Sequence, residues 1–132
     1  MPQENVEIVR SSFDAASRRD WDALFRNSHP DVELTTPPRG PNAGTYRGRE
    51  EIQGFWEDLG SAFEATSGEL ERLVDRGDQV VGVVRSRLRP KGSSGEIELR
   101  TGFLWTFRDG KVASLRLFAK PEEALEAAGL RE

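Results

Sequence analysis

The segment Phe103–Phe118, FLWTFRDGKVASLRLF, constrains the fold more than any other part of the chain. Two β-rich runs flank Arg108-Asp109-Gly110, which reads as the turn of an antiparallel hairpin. Side chains alternate along a strand, so Phe103, Trp105 and Phe107 share one face and Leu104 and Thr106 share the other. The second strand can join in two ways. A two-residue loop sets Val112, Ser114, Arg116 and Phe118 beside the aromatics. A three-residue loop, with Gly110 left-handed in a bulge, sets Ala113, Leu115, Leu117 and Ala119 there. The second register keeps Arg116 out of the core and is the one expected. The other face then carries Leu104, Thr106, Val112, Ser114, Arg116 and Phe118, too apolar for comfortable exposure. A sheet that is apolar on both faces needs two covers.

The rest of the chain supplies one of them. Val6, Val9, Phe13 and Ala16 recur at helical spacing, which predicts a first amphipathic helix. Asp20 reads as the N-cap of a short second helix carrying Trp21, Leu24 and Phe25, ended by Pro30-Asp31. Residues 32–36 alternate as a strand that Pro37-Pro38 stops, and 37–47 reads as a loop. A third helix is predicted from Gly48 to Phe63, with Ile52, Phe55, Leu59 and Phe63 on one face and Trp56 beside it. Gly54 inside it costs roughly 1 kcal/mol against alanine, so it is expected to mark a close approach by another element. Strands are predicted at 67–75, 78–90, 95–107 and 111–120. A closing helix starts at Pro121 and ends with Gly129 in the left-handed C′ position, Leu130 lying over Leu125. Helices first and strands last predict one α+β domain over residues 1–132.

Composition removes several classes. The 132 residues carry 19 Lys and Arg against 23 Asp and Glu, mixed along the chain, with no basic stripe for nucleic acid. No apolar run is long enough to span a bilayer, and the N-terminal MPQENVEIVR lacks the pattern of a secretory leader. Cysteine is absent and histidine occurs once, so disulfides, thiol nucleophiles and a multi-histidine metal site are excluded. A cytoplasmic protein without cofactor or metal is the expectation.

Register also tests what looks catalytic. Arg85, Arg87 and Arg89 alternate on one strand and suggest an anion site. Setting Arg89 opposite Glu96 brings Arg87 opposite Glu98 and Gly82 opposite Phe103, a small residue beside a large one. A one-residue slip would bury the charges, so the arginines are expected in a solvated ladder with glutamates. His29, in Ser28-His29-Pro30-Asp31, is expected at a helix end where it satisfies carbonyls. Glu33 alternates with Val32 and Leu34 and should face away from the interior.

Tyr46-Arg47-Gly48-Arg49-Glu50-Glu51-Ile52, the terminal hairpin and Glu123-Ala124-Leu125-Glu126-Ala127-Ala128-Gly129-Leu130 resemble the SnoaL-like branch of the nuclear transport factor 2-like superfamily, and the resemblance covers nearly the whole chain. It implies a cystatin-like cone: a strongly bent antiparallel sheet wrapped around three helices, with a pocket at its open end. It also implies a homodimer through the outer sheet face, here placed at Leu104, Val112, Arg116 and Phe118. Activities in the superfamily include ketosteroid isomerase, polyketide cyclases, epoxide hydrolases and dehydratases, beside non-catalytic binding modules. The isomerase pattern requires an Asp before a Pro at the end of the first strand, a phenol on the first helix and an Asp on a late strand. This chain has Thr36, Ser12 and Phe103 at those places. A threonine does not abstract protons near neutral pH unaided. The late strands offer no inward carboxylate for a cyclase, so no residue is assigned a catalytic role.

What remains is a pocket for a small, largely apolar molecule, with Thr36, Tyr46, Trp56, Arg72, Ser86, Thr101 and Trp105 as its expected ligand-binding residues. Tyr46 and Arg39 belong to a loop expected to overhang the mouth. Arg72, flanked at strand period by Leu70 and Val74, has a facing the sequence leaves open; pointing inward, it would be the best candidate to hold an anionic group. Two other readings stand beside this one: an enzyme of the cyclase, isomerase or epoxide hydrolase type, and a non-catalytic dimeric module whose cone is filled by its own aromatics.

Overall fold

The alternation of the late strands is realised in a six-stranded sheet of order β2-β1-β6-β5-β4-β3. The structure, a computed structural model, describes residues 2–38 and 43–130. The elements are α1 (Pro2–Ser17), α2 (Trp21–Arg26), β1 (Ser28–Thr35), β2 (Thr45–Arg47), α3 (Gly48–Ser61), β3 (Phe63–Asp75), β4 (Gln79–Pro90), β5 (Ile97–Arg108), β6 (Lys111–Phe118) and α4 (Pro121–Ala127). All strand pairs are antiparallel except β1 with β6. Strand β2 lies in the segment expected to be loop, since three residues carry no readable period. Helix α3 stops at Ser61, and Phe63 opens β3 rather than closing the helix.

The curved sheet and its helices are the α+β fold expected. Val9 of α1, Ile52 and Phe55 of α3, and Leu34, Val80, Trp105 and Phe107 of the sheet form the main core. Asp20 caps α2 by accepting from the Ala23 N–H at 3.2 Å. The β4–β5 register is the one the charges required: Gly82 faces Phe103 and Arg87 faces Glu98. The room at Gly82 serves Trp105, however. A Cβ there would stand 2.8 Å from Trp105 Cζ3. On the outer face Arg85 bonds Glu69, Arg87 meets Glu98 at 3.4 Å, and Arg100 meets Glu71 at 2.8 Å. This is the solvated ladder, and each exposed pair contributes under about 1 kcal/mol. Gly54 meets nothing within 4 Å, so no close approach explains it.

The terminal hairpin combines both registers. Asp109 and Gly110 both have positive φ, 53° and 78°, and Arg108 pairs with Lys111 across a two-residue turn. The register then shifts: Phe107 faces Val112, but Thr106 faces Ser114. Ala113 is the extra residue of a bulge, and beyond it Trp105 faces Leu115 and Phe103 faces Leu117 as expected. The bulge corrects one assignment. Val112 points inward beside Phe107 and is 4 % exposed, so it is a core residue and not an outer-face one.

Leu104 needs a second correction. It lies on the outer face, but α4 covers it, packing Ala124, Leu125 and Ala128 over Val81 and Leu104. Gly102 lets the helix sit there: a Cβ on it would be 2.6 Å from the Ala124 Cβ. The cap of α4 follows the sequence reading. Gly129 has φ +81°, its N–H donates to Glu126 O at 2.9 Å, and the Leu130 N–H donates to Leu125 O at 2.8 Å. The second cover of the two-faced sheet is therefore largely the chain's own last helix. Arg116 remains exposed, 4.9 Å above the ring of the half-buried Phe118.

Candidate functional site

Helix α1 turns a polar residue into the core. Its most buried positions are Val9, Ser12 and Ala15, at 0, 4 and 1 % exposure, while Phe13 sits at the edge against Phe103, ring centroids 6.4 Å apart. Of the expected apolar face Val6, Val9, Phe13 and Ala16, only Val9 is fully buried. The smaller residues fit closer to the sheet.

Ser12 is among the residues lining a narrow chamber of about 40 Å³ between α1, α2, α3 and the inner sheet face. Phe25, Leu34, Ile52, Trp56 and Trp105 are among its wall residues, with Val112 of the hairpin and with Ser28 as a second hydroxyl-bearing residue. At roughly 10–15 Å³ per water it has room for about three waters. Glu33 adds to the wall between the inward Val32 and Leu34, but alternation sends its side chain to the outer face, where Arg47 Nε meets it at 2.9 Å. No other carboxylate, and no imidazole or guanidinium, is among the lining residues. A larger depression, about 490 Å³, runs along the exposed side of α3 between Arg49, Glu50, Gln53 and Glu57. It is charged and more open to solvent, so the narrower, mainly apolar chamber is the stronger candidate.

Of the residues expected to bind a ligand, Trp56 and Trp105 meet in this chamber. Tyr46 stands outside it, its ring tilted 48° against that of Phe55 with centroids 4.9 Å apart. Thr36 is buried for a different task. Its Oγ1 accepts from the Gly44 N–H at 2.8 Å and lies 3.2 Å from Gly44 O, so it closes the loop between β1 and β2. Ser86 and Thr101 are on the inner face but off the chamber: Ser86 sits beside Gly68 near Phe13, and Thr101 faces Val84. Arg72 is exposed on the outer face. A bulge after Leu70 breaks the period, so that Arg72 faces Val83 and the next inward residue is Leu73. Arg39 lies outside the described residues.

His29 is not at the chamber either. Its Nε2 donates to the Arg108 carbonyl at 2.5 Å, and Arg108 Nη2 reaches Asp31 Oδ1 at 3.3 Å. The pair ties the start of β1 to the terminal hairpin, a carbonyl-satisfying role at a strand instead of a helix end. Among the described residues no cluster of three His, Cys, Asp or Glu side chains could hold a metal ion, and no helix is long and apolar enough to cross a membrane.

Residues 9–115 match the model of the SnoaL-like domain. An uncharacterised protein of Mycobacterium tuberculosis (strain H37Rv) is 29 % identical over 125 residues, covering 93 % of this chain and 94 % of its own. A nuclear transport factor 2-like protein from Burkholderia xenovorans LB400 is 30 % identical, with a TM-score of 0.75 over 96 % of this chain and 95 % of its own. TerC, solved in co-crystals with polyporic acid, is 22 % identical with a TM-score of 0.80, covering 96 % of this chain and 98 % of its own.

Proposed function

Because the chain belongs to the SnoaL-like family, we propose that its cone binds a small, mainly apolar molecule, held at its inner end by Trp56, Trp105 and the walls around them. The observation that carries this reading is a narrow, mainly apolar chamber whose hydroxyl-bearing lining residues are Ser12 and Ser28. Ligand sites have this character: mostly apolar walls with a few placed polar groups. TerC, of the same fold, was co-crystallised with polyporic acid, which supports a ligand-accepting cone by analogy. The size is informative. At about 40 Å³ the chamber is far below the roughly 300–1,000 Å³ of a drug-sized site, so it suits a very small molecule or the narrow end of a longer one. Binding is favoured over proton transfer because no acid or base faces the chamber.

The same small volume favours a second reading, a cone filled by its own aromatics that binds nothing. Xenon and a panel of small neutral organic molecules separate the two. Binding is expected to perturb the indole N–H signals of Trp56 and Trp105 in two-dimensional NMR and to raise the melting temperature. A protein that takes up neither xenon nor any panel member has a filled cone, and the binding reading falls.

A further inference from the structure

The two neighbours of β5 accompany it for different lengths. Strand β4 runs beside it from Ile97 to Thr106, but pairing with β6 begins only at Gly102, opposite Phe118. After Phe118 the chain turns into α4, which starts over Gly102 and packs on Leu104 and Val81, away from Ile97. Among the described residues, Ile97–Thr101 therefore have a strand on one side only. The other edges of the sheet are guarded: β2 is three residues long, and β3 pairs through two register shifts. The β4–β5 register has no shift, and the free segment displays Ile97 and Leu99 at 45 and 44 % exposure.

The Phe107 N–H donates toward β4, to Asp78 O at 2.8 Å. Backbone groups alternate sides along a strand, so those of Leu99 and Thr101 also serve β4. Those of Glu98 and Arg100 point to the vacant side.

We propose that this edge docks against the same edge of a second copy of the chain, the two β5 segments running antiparallel across a two-fold axis at Leu99. The vacant length matches its occupant, residues 97–101 lying against residues 101–97. Glu98 of each copy exchanges N–H···O bonds with Arg100 of the other. The same register puts each Glu98 carboxylate beside the other copy's Arg100 guanidinium on the outer face. On the inner face it puts Leu99 beside Leu99 and Ile97 beside Thr101. A slip of two residues either way keeps the bonding parity but opposes glutamate to glutamate or arginine to arginine. Arg100 gains a second acid: its direct neighbour on β4 is the like-charged Arg85, and Glu71 meets it at 2.8 Å. Glu98 meets Arg87 at 3.4 Å. A carboxylate has two oxygens and a guanidinium five N–H groups, so each keeps its present partner and takes another. The contact extends the sheet sideways, apart from any outer-face contact and from the chamber.

Light scattering and sedimentation of the full chain over a concentration series read the dimer, and amide hydrogen exchange locates it. The Glu98 and Arg100 amides are expected to gain protection as concentration rises, while those of Leu99 and Thr101 stay unchanged. Glu98→Arg and Arg100→Glu should each weaken the dimer at least about tenfold, and the double variant should recover to within about threefold of native. The double variant disrupts the ladder within one chain more than either single, so recovery reports only the contact between copies. Leu99→Lys, at an exposed position, is expected to dissociate the dimer with the far-ultraviolet circular dichroism unchanged. A native chain that stays monomeric up to about 1 mM overturns the inference. So do Glu98 and Arg100 amides that exchange alike at every concentration, or a double variant no better than the singles.

Discussion

Gly102→Ala is the sharpest test of how the outer face is covered. The added Cβ would stand 2.6 Å from the Ala124 Cβ, 3.1 Å from the Lys120 carbonyl oxygen and 3.1 Å from the Pro121 Cα. Two of those three atoms are backbone and cannot rotate away. Carbon atoms rest about 3.5–4.0 Å apart, so α4 must retreat by about 1 Å, and a gap of that size forfeits up to about half of each contact's attraction. The contacts at risk join Ala124, Leu125 and Ala128 to Val81 and Leu104. Complete loss of α4 would expose two leucines and a valine, each contributing about 1.5–3 kcal/mol. A partial retreat should cost about 2 kcal/mol, slightly reduced by the lower backbone entropy of alanine in the unfolded chain. Urea denaturation reads the cost, and hydrogen exchange locates it. The amides of Ala128 and Leu130, bonded to carbonyls of the last helical turn, should lose protection before those of β5. A variant within about 0.5 kcal/mol of the native chain, with those amides still protected, would refute the idea that Gly102 seats α4.

Three further outcomes follow from the same packing. Ser12→Ala should stabilise the chain by about 1–2 kcal/mol in thermal or urea unfolding, through helix propensity and removal of an unpaired hydroxyl; a loss of stability would mean that Ser12 has a protein partner. Gly82→Ala should destabilise by about 1–3 kcal/mol and alter tryptophan fluorescence, because its Cβ would press on Trp105 at 2.8 Å and on Leu73 at 3.2 Å; an unchanged spectrum and midpoint would contradict the contact. Association of two copies through the outer face must use the uncovered part around Arg116 and Phe118, so Phe118→Glu abolishes an outer-face dimer in multi-angle light scattering, whereas an unchanged dimer mass is the outcome expected of pairing along the β5 edge.

What the sequence determined by itself is the part that obeys a short period. Alternation along β4 and β5, with arginines that resist burial, sets their register to the residue, and Gly82 opposite Phe103 agrees with it. Pro121 and Gly129 fix both ends of α4 because a proline and a left-handed glycine act through local geometry alone. Trp56 and Trp105 were legible as chamber residues once the helix and inner sheet face were placed.

Tertiary structure decided the rest. Bulges at Ala113 and after Leu70 break the period, and one inserted residue moves Val112 inward and Arg72 outward. Nothing in the local pattern announces a bulge, because its cause is the curvature the closed cone demands. The partner of the two-faced hairpin was equally non-local. The hairpin shows that a second cover is needed, but only the path of the chain after Phe118 reveals that seven residues of α4 fold back to provide much of it. Ser12 escaped notice for a related reason. A single serine on a helix looks like surface until the rotation of α1 against the sheet is fixed, and that rotation is set by how closely Val9, Ser12 and Ala15 can approach.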